Sequence, residues 1–153
     1  MLMTFYFDMD GTLANFYGVQ NWLEYLENFD TTPYRIAKPA LNFSLLARRI
    51  HQLQRKGYKV GIISWLSKSG TEDYNAAVTT IKKAWLKKHL PSVEWNEITI
   101  VPYGTPKHNH ANDKYAILFD DEKRNRDAWQ SKTRIAFDES CIMEILAHFA
   151  KSC

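Results

Sequence analysis

The sequence of 153 residues predicts an α/β domain built on a doubly wound parallel sheet. Short apolar runs, typical of buried strands, alternate with longer segments in which apolar residues recur every three or four positions. The chain contains no repeat, low-complexity tract or long linker, and its length suits one domain with a substantial core. We therefore expect residues 1–153 to form a single domain whose helices connect parallel strands by right-handed crossovers.

The first half of the chain is predicted to contain two strands and two helices. Apolar residues are nearly continuous over residues 3–7 and 59–64, which indicates strands. A helix over residues 41–56 would end at Gly57. A helix over residues 19–29 would precede a polar, proline-containing loop at residues 30–39. The apolar faces of these two helices are formed by Trp22, Tyr25, Leu26 and Phe29 in one and by Leu46, Ile50 and Leu53 in the other.

The second half continues the alternation. A helix over residues 71–90 has acidic residues in its first turn and a proline just after its end. Strands follow at residues 97–101, 116–120 and 134–137, and a last helix at residues 139–150. The buried stripes of these helices are expected to contain Tyr74, Val78, Ile81 and Trp85, and then Ile142, Ile145, Leu146 and Phe149.

Composition narrows the functional classes. The net charge of +3 permits an anionic substrate but does not demand nucleic acid. Cys141 and Cys153 are too few for a disulfide framework and indicate a reducing compartment. No apolar run approaches the roughly 20 residues of a membrane span, and a first strand at residue 3 leaves no room for a signal peptide. We expect a cytoplasmic protein.

Two carboxylates, Asp8 and Asp10, follow the first strand, which is where α/β proteins place their chemistry. Both can serve one site only if the chain turns at Asp10, and Gly11 permits that turn. One carboxylate could then attack an electrophile while the other transfers a proton at the leaving oxygen. Attack on a phosphate would need a hard cation such as Mg²⁺, held by further acids. A second apolar strand does end in acids, at Asp120 and Asp121.

The segment Asp8-Met9-Asp10-Gly11-Thr12 resembles the first motif of the haloacid dehalogenase superfamily, an apolar strand followed by Asp-x-Asp-Gly-Thr. The resemblance implies a Rossmann-like phosphatase fold, with Asp8 as the phosphoryl-accepting nucleophile and Asp10 as the general acid/base. Thr12 would hold the motif turn at the phosphate site. Ser64, which ends the second strand, resembles the second motif and would donate a hydrogen bond to a phosphate oxygen.

The fourth motif of that superfamily is matched by Asp120, Asp121 and Asn125. The resemblance implies that Asp121 binds Mg²⁺ directly, beside Asp8 and the backbone carbonyl of Asp10, with Asp120 close behind.

The third motif is a lysine that neutralises the nucleophile and the bound phosphate. The order of motifs in the family favours Lys107, which precedes the fourth strand. Lys114 lies too close to that strand to curl back, and Lys82 or Lys83 on the preceding helix is a weaker candidate.

Residues 15–40 leave room for only a small cap between the first two motifs. The string from Asp8 to Phe16 is similar to the 5'(3')-deoxyribonucleotidase branch of the superfamily, in which aromatic residues of the cap surround the base. We therefore expect a small phosphate ester, a nucleoside monophosphate, as substrate, with Phe16 and Tyr17 as candidates to stack on the base. Trp65 departs from that branch, which has a small residue after its motif threonine.

Two alternatives remain, one another phosphatase and one from a different functional class. The chain could be a polynucleotide 3'-phosphatase, because the cap is small and Lys82, Lys83, Lys87 and Lys88 could form a basic surface. It could also be a nucleotide-binding or regulatory protein of the same fold without turnover, which the full set of site residues argues against. The segment His108-Asn109-His110 has no cysteine nearby and indicates an exposed loop more than a zinc site. The sequence leaves the oligomeric state open.

Overall fold

A computed structural model describes residues 3–151 and contains one five-stranded parallel sheet within them. The strands are β1 (Thr4–Phe7), β2 (Lys59–Trp65), β3 (Glu97–Val101), β4 (Ala116–Phe119) and β5 (Arg134–Phe137). Their order across the sheet is β3-β2-β1-β4-β5, so β1 is central and pairs with both β2 and β4. The predicted α/β fold class and all five predicted strands are confirmed.

Six α-helices surround the sheet in the described part of the chain. They are α1 (Trp22–Glu27), α2 (Thr32–Ile36), α3 (Phe43–Arg55), α4 (Glu72–His89), α5 (Lys123–Trp129) and α6 (Ile142–Lys151). Short 3-10 turns occur at Phe16–Gly18, Lys107–Asn109 and Glu139–Cys141. No helix among residues 3–151 combines the length and apolar character needed to cross a membrane. Cys153 lies outside the described residues.

The two faces of the sheet are covered by different helices, as a doubly wound fold requires. Alternate residues of β1, such as Phe5 and Phe7, face a large core to which α3, α4 and α6 contribute. Tyr6 faces the opposite side, where Trp129 of α5 packs against it with ring centroids 5.5 Å apart. Both faces of the central strand are therefore buried, and β1 is apolar throughout apart from Thr4.

The long helices begin and end where the sequence predicts. The side chain of Asn42 accepts a hydrogen bond from the backbone N–H of Leu45 and caps α3. Thr71 caps α4 in the same way by accepting from the N–H of Tyr74. Gly57, with φ of +94°, stands just after α3 and adopts the left-handed conformation that ends many helices.

Two local predictions are wrong, and one helix was not predicted. The helix expected over residues 19–29 is only the six-residue α1, none of whose residues is fully buried, and Phe29 beyond its end is 52% exposed. The loop expected at residues 30–39 contains α2, whose start is marked by Pro33. Helix α5 went unpredicted because it buries only Asn125 and Trp129 and so has no apolar stripe.

The insert between β1 and α3 packs on the first half of α4. Phe16 and Tyr34 join Tyr74 and Val78 of α4 in a small buried cluster, and the Tyr74 hydroxyl donates to the carbonyl of Asp30. The insert is thus part of the same folded unit as the sheet, on the side where β1 and β2 end.

The packing of Phe16 gives a stability prediction. The ring is 3% exposed and lies 4.7 Å from the Tyr34 ring, centroid to centroid, whereas Tyr17 is 53% exposed. Phe16→Ala should lower the free energy of unfolding by about 3 kcal/mol or more, the usual cost of emptying a buried phenylalanine site. Urea unfolding measures this, with Tyr17→Ala as the matched control. Equal, small losses in both variants would contradict the assigned packing.

Candidate active site

A cavity of about 400 Å³ opens at the carboxyl ends of β1, β2 and β4. The order of the strands reverses between β1 and β4, and open α/β sheets bind ligands at such a point. The floor of the cavity is polar and contains Asp8, Asp10, Lys107, Asp120 and Asp121. One side, the insert wall, is formed by Phe16, Tyr17, Trp22, Leu23, Leu26 and Tyr34. The other side, the strand-end wall, is formed by Trp65, Leu66, Ser67, Lys68, Ser69 and Tyr103.

The strand register brings the acids of the first and fourth motifs together. Phe7 of β1 pairs with Phe119 of β4, so Asp8 and Asp120 follow side by side. The backbone N–H of Asp8 donates to the carbonyl of Phe119 at 2.9 Å, which continues the pairing to the last residue before the turn. The two carboxylates are therefore held on rigid backbone.

The turn after Asp8 depends on Gly11. The carbonyl of Met9 accepts hydrogen bonds from the N–H groups of Thr12, Leu13 and Ala14, and Gly11 has φ of +84°. A Cβ atom at Gly11 would lie 2.4 Å from Oδ2 of Asp121. Glycine is required both for the left-handed conformation and for the close approach of Asp121.

Asp8 is held between Lys107 and Thr12. The Lys107 ammonium donates to Oδ1 of Asp8 at 2.8 Å, and the Thr12 hydroxyl donates to Oδ2 at 3.0 Å. Burial of Asp8 works against its charge, but the nearby charge and hydrogen bond of Lys107 outweigh burial and lower the pKa of Asp8. An ionised carboxylate thus stands at the bottom of the cavity.

Asp120 and Asp121 differ in how their oxygens are used. Oδ2 of Asp120 accepts from Lys107 at 2.8 Å and from Asn125 at 3.1 Å, and its Oδ1 accepts from the N–H of Glu122. Oδ1 of Asp121 lies 3.3 Å from the Thr12 hydroxyl, and the Asp121 carboxyl also shares a hydrogen bond with that of Asp8. Asp120 is thus held on both oxygens by a lysine, an amide and a backbone N–H, whereas Asp121 contacts Thr12 and Asp8.

The acids are crowded. Asp8, Asp120 and Asp121 each offer one carboxylate oxygen, and these three oxygens lie within 4.8 Å of one another. Burial, and then the charge of Asp8, raises the pKa of Asp120 to about 6 and that of Asp121 to about 8. Oxygen-only ligands with excess negative charge suit a hard cation, and the space that Gly11 leaves for Asp121 belongs to the same cluster. These residues fit Mg²⁺.

Lys82 is the site residue whose placement differs most from expectation. It is not part of a basic surface: the residue is 1% exposed, and its ammonium donates to Oδ2 of Asp10 at 2.8 Å. It also donates to Oγ of Ser64 and to the carbonyl of Trp65, each at 2.7 Å. The sequence holds a signal for this burial, because Lys82 stands four residues after Val78 and eight after Tyr74, on the buried face of α4.

The other predicted site residues fall into two groups. Lys107, Asp10, Phe16 and Tyr17 line the cavity, although the ring of Phe16 is mostly packed in the core. Thr12 and Ser64 are buried behind the lining, where Thr12 contacts Asp8 and Asp121 and Ser64 contacts Lys82. Burial of Asp10 raises its pKa, against the opposing charge of Lys82.

Trp65 organises the strand-end wall. Its indole N–H donates to the carbonyl of Thr105 at 2.8 Å, just before the turn that carries Lys107. The Lys107 ammonium lies 5.4 Å from the centre of the indole ring, and the Arg124 guanidinium lies 4.9 Å from it. The Tyr103 ring lies 4.9 Å from that of Trp65, centroid to centroid. Sequence reasoning identified Trp65 only as a departure from a family pattern.

Comparison with known proteins identifies a protein of similar fold but no family to which the chain belongs. No family model matches the chain, and no curated protein matches it significantly. Among solved structures, the chain resembles a D,D-heptose 1,7-bisphosphate phosphatase from Burkholderia thailandensis with a TM-score of 0.57 and 14% sequence identity. The match covers 98% of this chain and 99% of that one. The two proteins share one fold over nearly their whole lengths.

The acid cluster predicts how stability depends on pH. The folded protein raises the pKa of Asp120 to about 6 and of Asp121 to about 8, above their usual values in an unfolded chain. At these two groups the native state then binds more protons than the unfolded state between about pH 4 and 8. Their contribution to the free energy of unfolding is therefore lost as pH rises through that window. In chelator, urea unfolding should show a decline from about pH 5.5 to 8 that Asp121→Asn reduces. Identical pH slopes for both proteins would contradict the cluster.

Proposed function

We propose that the protein is a Mg²⁺-dependent phosphomonoester hydrolase that works through an aspartyl-phosphate on Asp8. The observation that carries the proposal is the ionised Asp8 carboxylate on the cavity floor, held by Lys107 beside the acid cluster. A carboxylate placed at the bottom of a pocket, next to a buried cation, is suited to attack an anionic phosphorus centre.

The two acids of the first motif, Asp8 and Asp10, take separate roles in the reaction. An oxygen of Asp8 forms a bond to phosphorus as the bond from phosphorus to the leaving oxygen breaks, and Asp10 donates a proton to that oxygen. Asp10 then removes a proton from the water that attacks the aspartyl-phosphate, which restores Asp8 and releases inorganic phosphate. The raised pKa of Asp10 suits a group that carries a proton in one step and accepts one in the next.

Lys107 is assigned to the phosphate. An ammonium group has three N–H donors, and within residues 3–151 the ammonium of Lys107 donates to Asp8 and Asp120. One donor remains for a phosphate oxygen on the cavity floor. This assigns to Lys107 the third-motif role that its place in the chain predicts.

Asp8 and Asp121 would hold Mg²⁺ directly, with the backbone carbonyl of Asp10 as a further ligand and Asp120 behind them. When bound, the ion would screen the charge between the attacking carboxylate and the phosphate. The choice of Asp121 over Asp120 is supported by the donors on Asp120, both of whose oxygens already accept hydrogen bonds. Asn125 and Lys107 would then orient Asp120.

The fold supports phosphatase chemistry at a coarser level. The solved structure that the chain resembles is a phosphatase, although at 14% identity the likeness concerns the fold. The proposed roles of Asp8, Asp10 and Lys107 rest on their side-chain contacts in this chain.

The cavity supports a nucleoside monophosphate as substrate. A volume of about 400 Å³ lies in the range of small-molecule sites, and the two walls carry aromatic rings above the polar floor. The exposed ring of Tyr17 stands on the insert wall, and Trp65 and Tyr103 stand on the other. A flat base between these walls would place its 5'-phosphate on the floor.

A polynucleotide substrate has less support. Of the four lysines proposed as a basic surface, Lys82 is buried, and none of Lys83, Lys87 and Lys88 lines the cavity.

The covalent step is tested by substitution of the nucleophile. Asp8→Asn should abolish Mg²⁺-dependent release of phosphate from nucleoside monophosphates and from small aryl phosphates, and leave the thermal unfolding transition in place. Beryllium fluoride should bind the wild-type protein and not the variant. Asp127→Asn, which changes an exposed aspartate paired with Lys123, is the matched control and should keep full activity. Substantial turnover by Asp8→Asn would refute the proposal.

The substrate class is tested at Tyr17. Stacking of a base on an aromatic ring is worth about 1–3 kcal/mol, so Tyr17→Ala should lower kcat/KM for nucleoside monophosphates by roughly five- to a hundredfold. Hydrolysis of a small aryl phosphate without a base should change little, and Tyr17→Phe should behave like wild type on both. Equal losses on both substrates would count against the nucleotide assignment. A salt-dependent loss on 3'-phosphorylated oligonucleotides in Lys83→Met would favour the polynucleotide alternative.

A further inference from the structure

Lys82 is a buried cation to which the proposed chemistry assigns no task. It lies in the middle of α4, is 1% exposed and does not line the cavity. Burial of an ammonium group is costly unless it is paired and all its protons are bonded. Its position is therefore maintained by specific partners, and those partners indicate what it does.

The three protons of Lys82 are all engaged within the protein. Oδ2 of Asp10 accepts one at 2.8 Å, Oγ of Ser64 accepts another and the carbonyl of Trp65 accepts the last, each at 2.7 Å. No donor remains for a substrate oxygen. Lys82 thus differs from Lys107, which keeps one N–H for the phosphate.

We propose that Lys82 is a positioning residue for the general acid/base Asp10, an inference that rests on the proposed function. Ser64 and the Trp65 carbonyl at the end of β2 anchor the ammonium, and the remaining proton holds Oδ2 of Asp10. Asp10 lines the cavity with its side chain 20% exposed, and its other oxygen, Oδ1, is left for the leaving group. The lysine thereby fixes which carboxylate oxygen transfers the proton.

The anchors explain why a lysine from a helix can do this. Ser64 is fully buried and belongs to a central strand, so its hydroxyl is a fixed point. The ring of Tyr34 lies 5.3 Å from the Lys82 ammonium, centre to nitrogen, and closes the remaining side. Lys82 therefore joins three segments, the turn after β1, the end of β2 and the helix α4.

The same contacts assign Ser64 a role different from phosphate binding. Its Oγ accepts from Lys82, and the residue does not line the cavity. Ser64 acts through Lys82 and Asp10, so its loss should affect proton transfer more than phosphate affinity.

The test compares leaving groups that need a proton with one that does not. Lys82→Met should slow single-turnover release of the nucleoside from a nucleoside monophosphate by about 10- to 100-fold, part of what a general acid contributes. Release of dinitrophenolate from dinitrophenyl phosphate in the same Mg²⁺ buffer should be nearly unchanged, because that leaving group departs without a proton. Lys83→Met, the same change at the exposed neighbouring position, is the control and should match wild type on both esters.

The outcomes separate this inference from the proposed function. Equal losses on the two esters, or no loss on either, would overturn the positioning role in an enzyme that is otherwise active. A wild-type protein inactive on both esters would overturn the proposed function and this inference with it. If Lys82→Met fails to fold, Ser64→Ala decides: a selective loss on the nucleoside monophosphate supports the inference, and a raised KM on both esters makes Ser64 a phosphate ligand and overturns it.

Discussion

The ion pair that Lys107 makes with Asp8 and Asp120 is the interaction on which the candidate site depends. Parallel pairing of β1 with β4 brings two carboxylates to adjacent positions, where their mutual repulsion and burial would oppose ionisation. Lys107 donates to both at 2.8 Å and lowers the pKa of Asp8, while the pKa of Asp120 stays raised. One buried cation thus allows Asp8, the proposed nucleophile, to remain charged in the place where the topology of the sheet puts it.

A second cation, Lys82, occupies the neighbouring position toward β2. The two lysines come from different segments, one from the turn after β3 and one from α4, yet each ends on a carboxylate of the first motif. The two ammonium groups differ in their unused N–H donors, because all three donors of Lys82 are hydrogen-bonded and only two of those of Lys107 are. On this difference rest the two proposed roles, phosphate binding for Lys107 and orientation of Asp10 for Lys82.

The parts of the molecule with strong periodic patterns were predictable. All five strands and the long helices α3 and α4 follow from apolar runs, from Gly57 at the end of α3 and from the acidic first turn of α4 with the proline after it. The structure of the insert between β1 and α3 was not predictable, because α1 is short and buries no residue completely. Two of its apolar residues, Trp22 and Leu26, line the cavity instead. Helix α5 was missed because its sequence is polar, although it carries Asn125 to Asp120.

By itself the sequence determined the fold class and the acids that end β1 and β4, because strand periodicity and the turn at Gly11 are local properties. Tertiary structure decided the partners of those acids. In the sequence, Lys82 and Lys107 are simply two lysines, one in a helix and one in a turn. Only the packing shows that all three N–H donors of Lys82 are hydrogen-bonded and that Lys107 keeps one donor free. Phe16 and Tyr17 are adjacent rings in the sequence, yet one is buried and the other exposed. Burial and hydrogen bonding between distant segments are not encoded in any local pattern, and these determine which side chains reach the cavity.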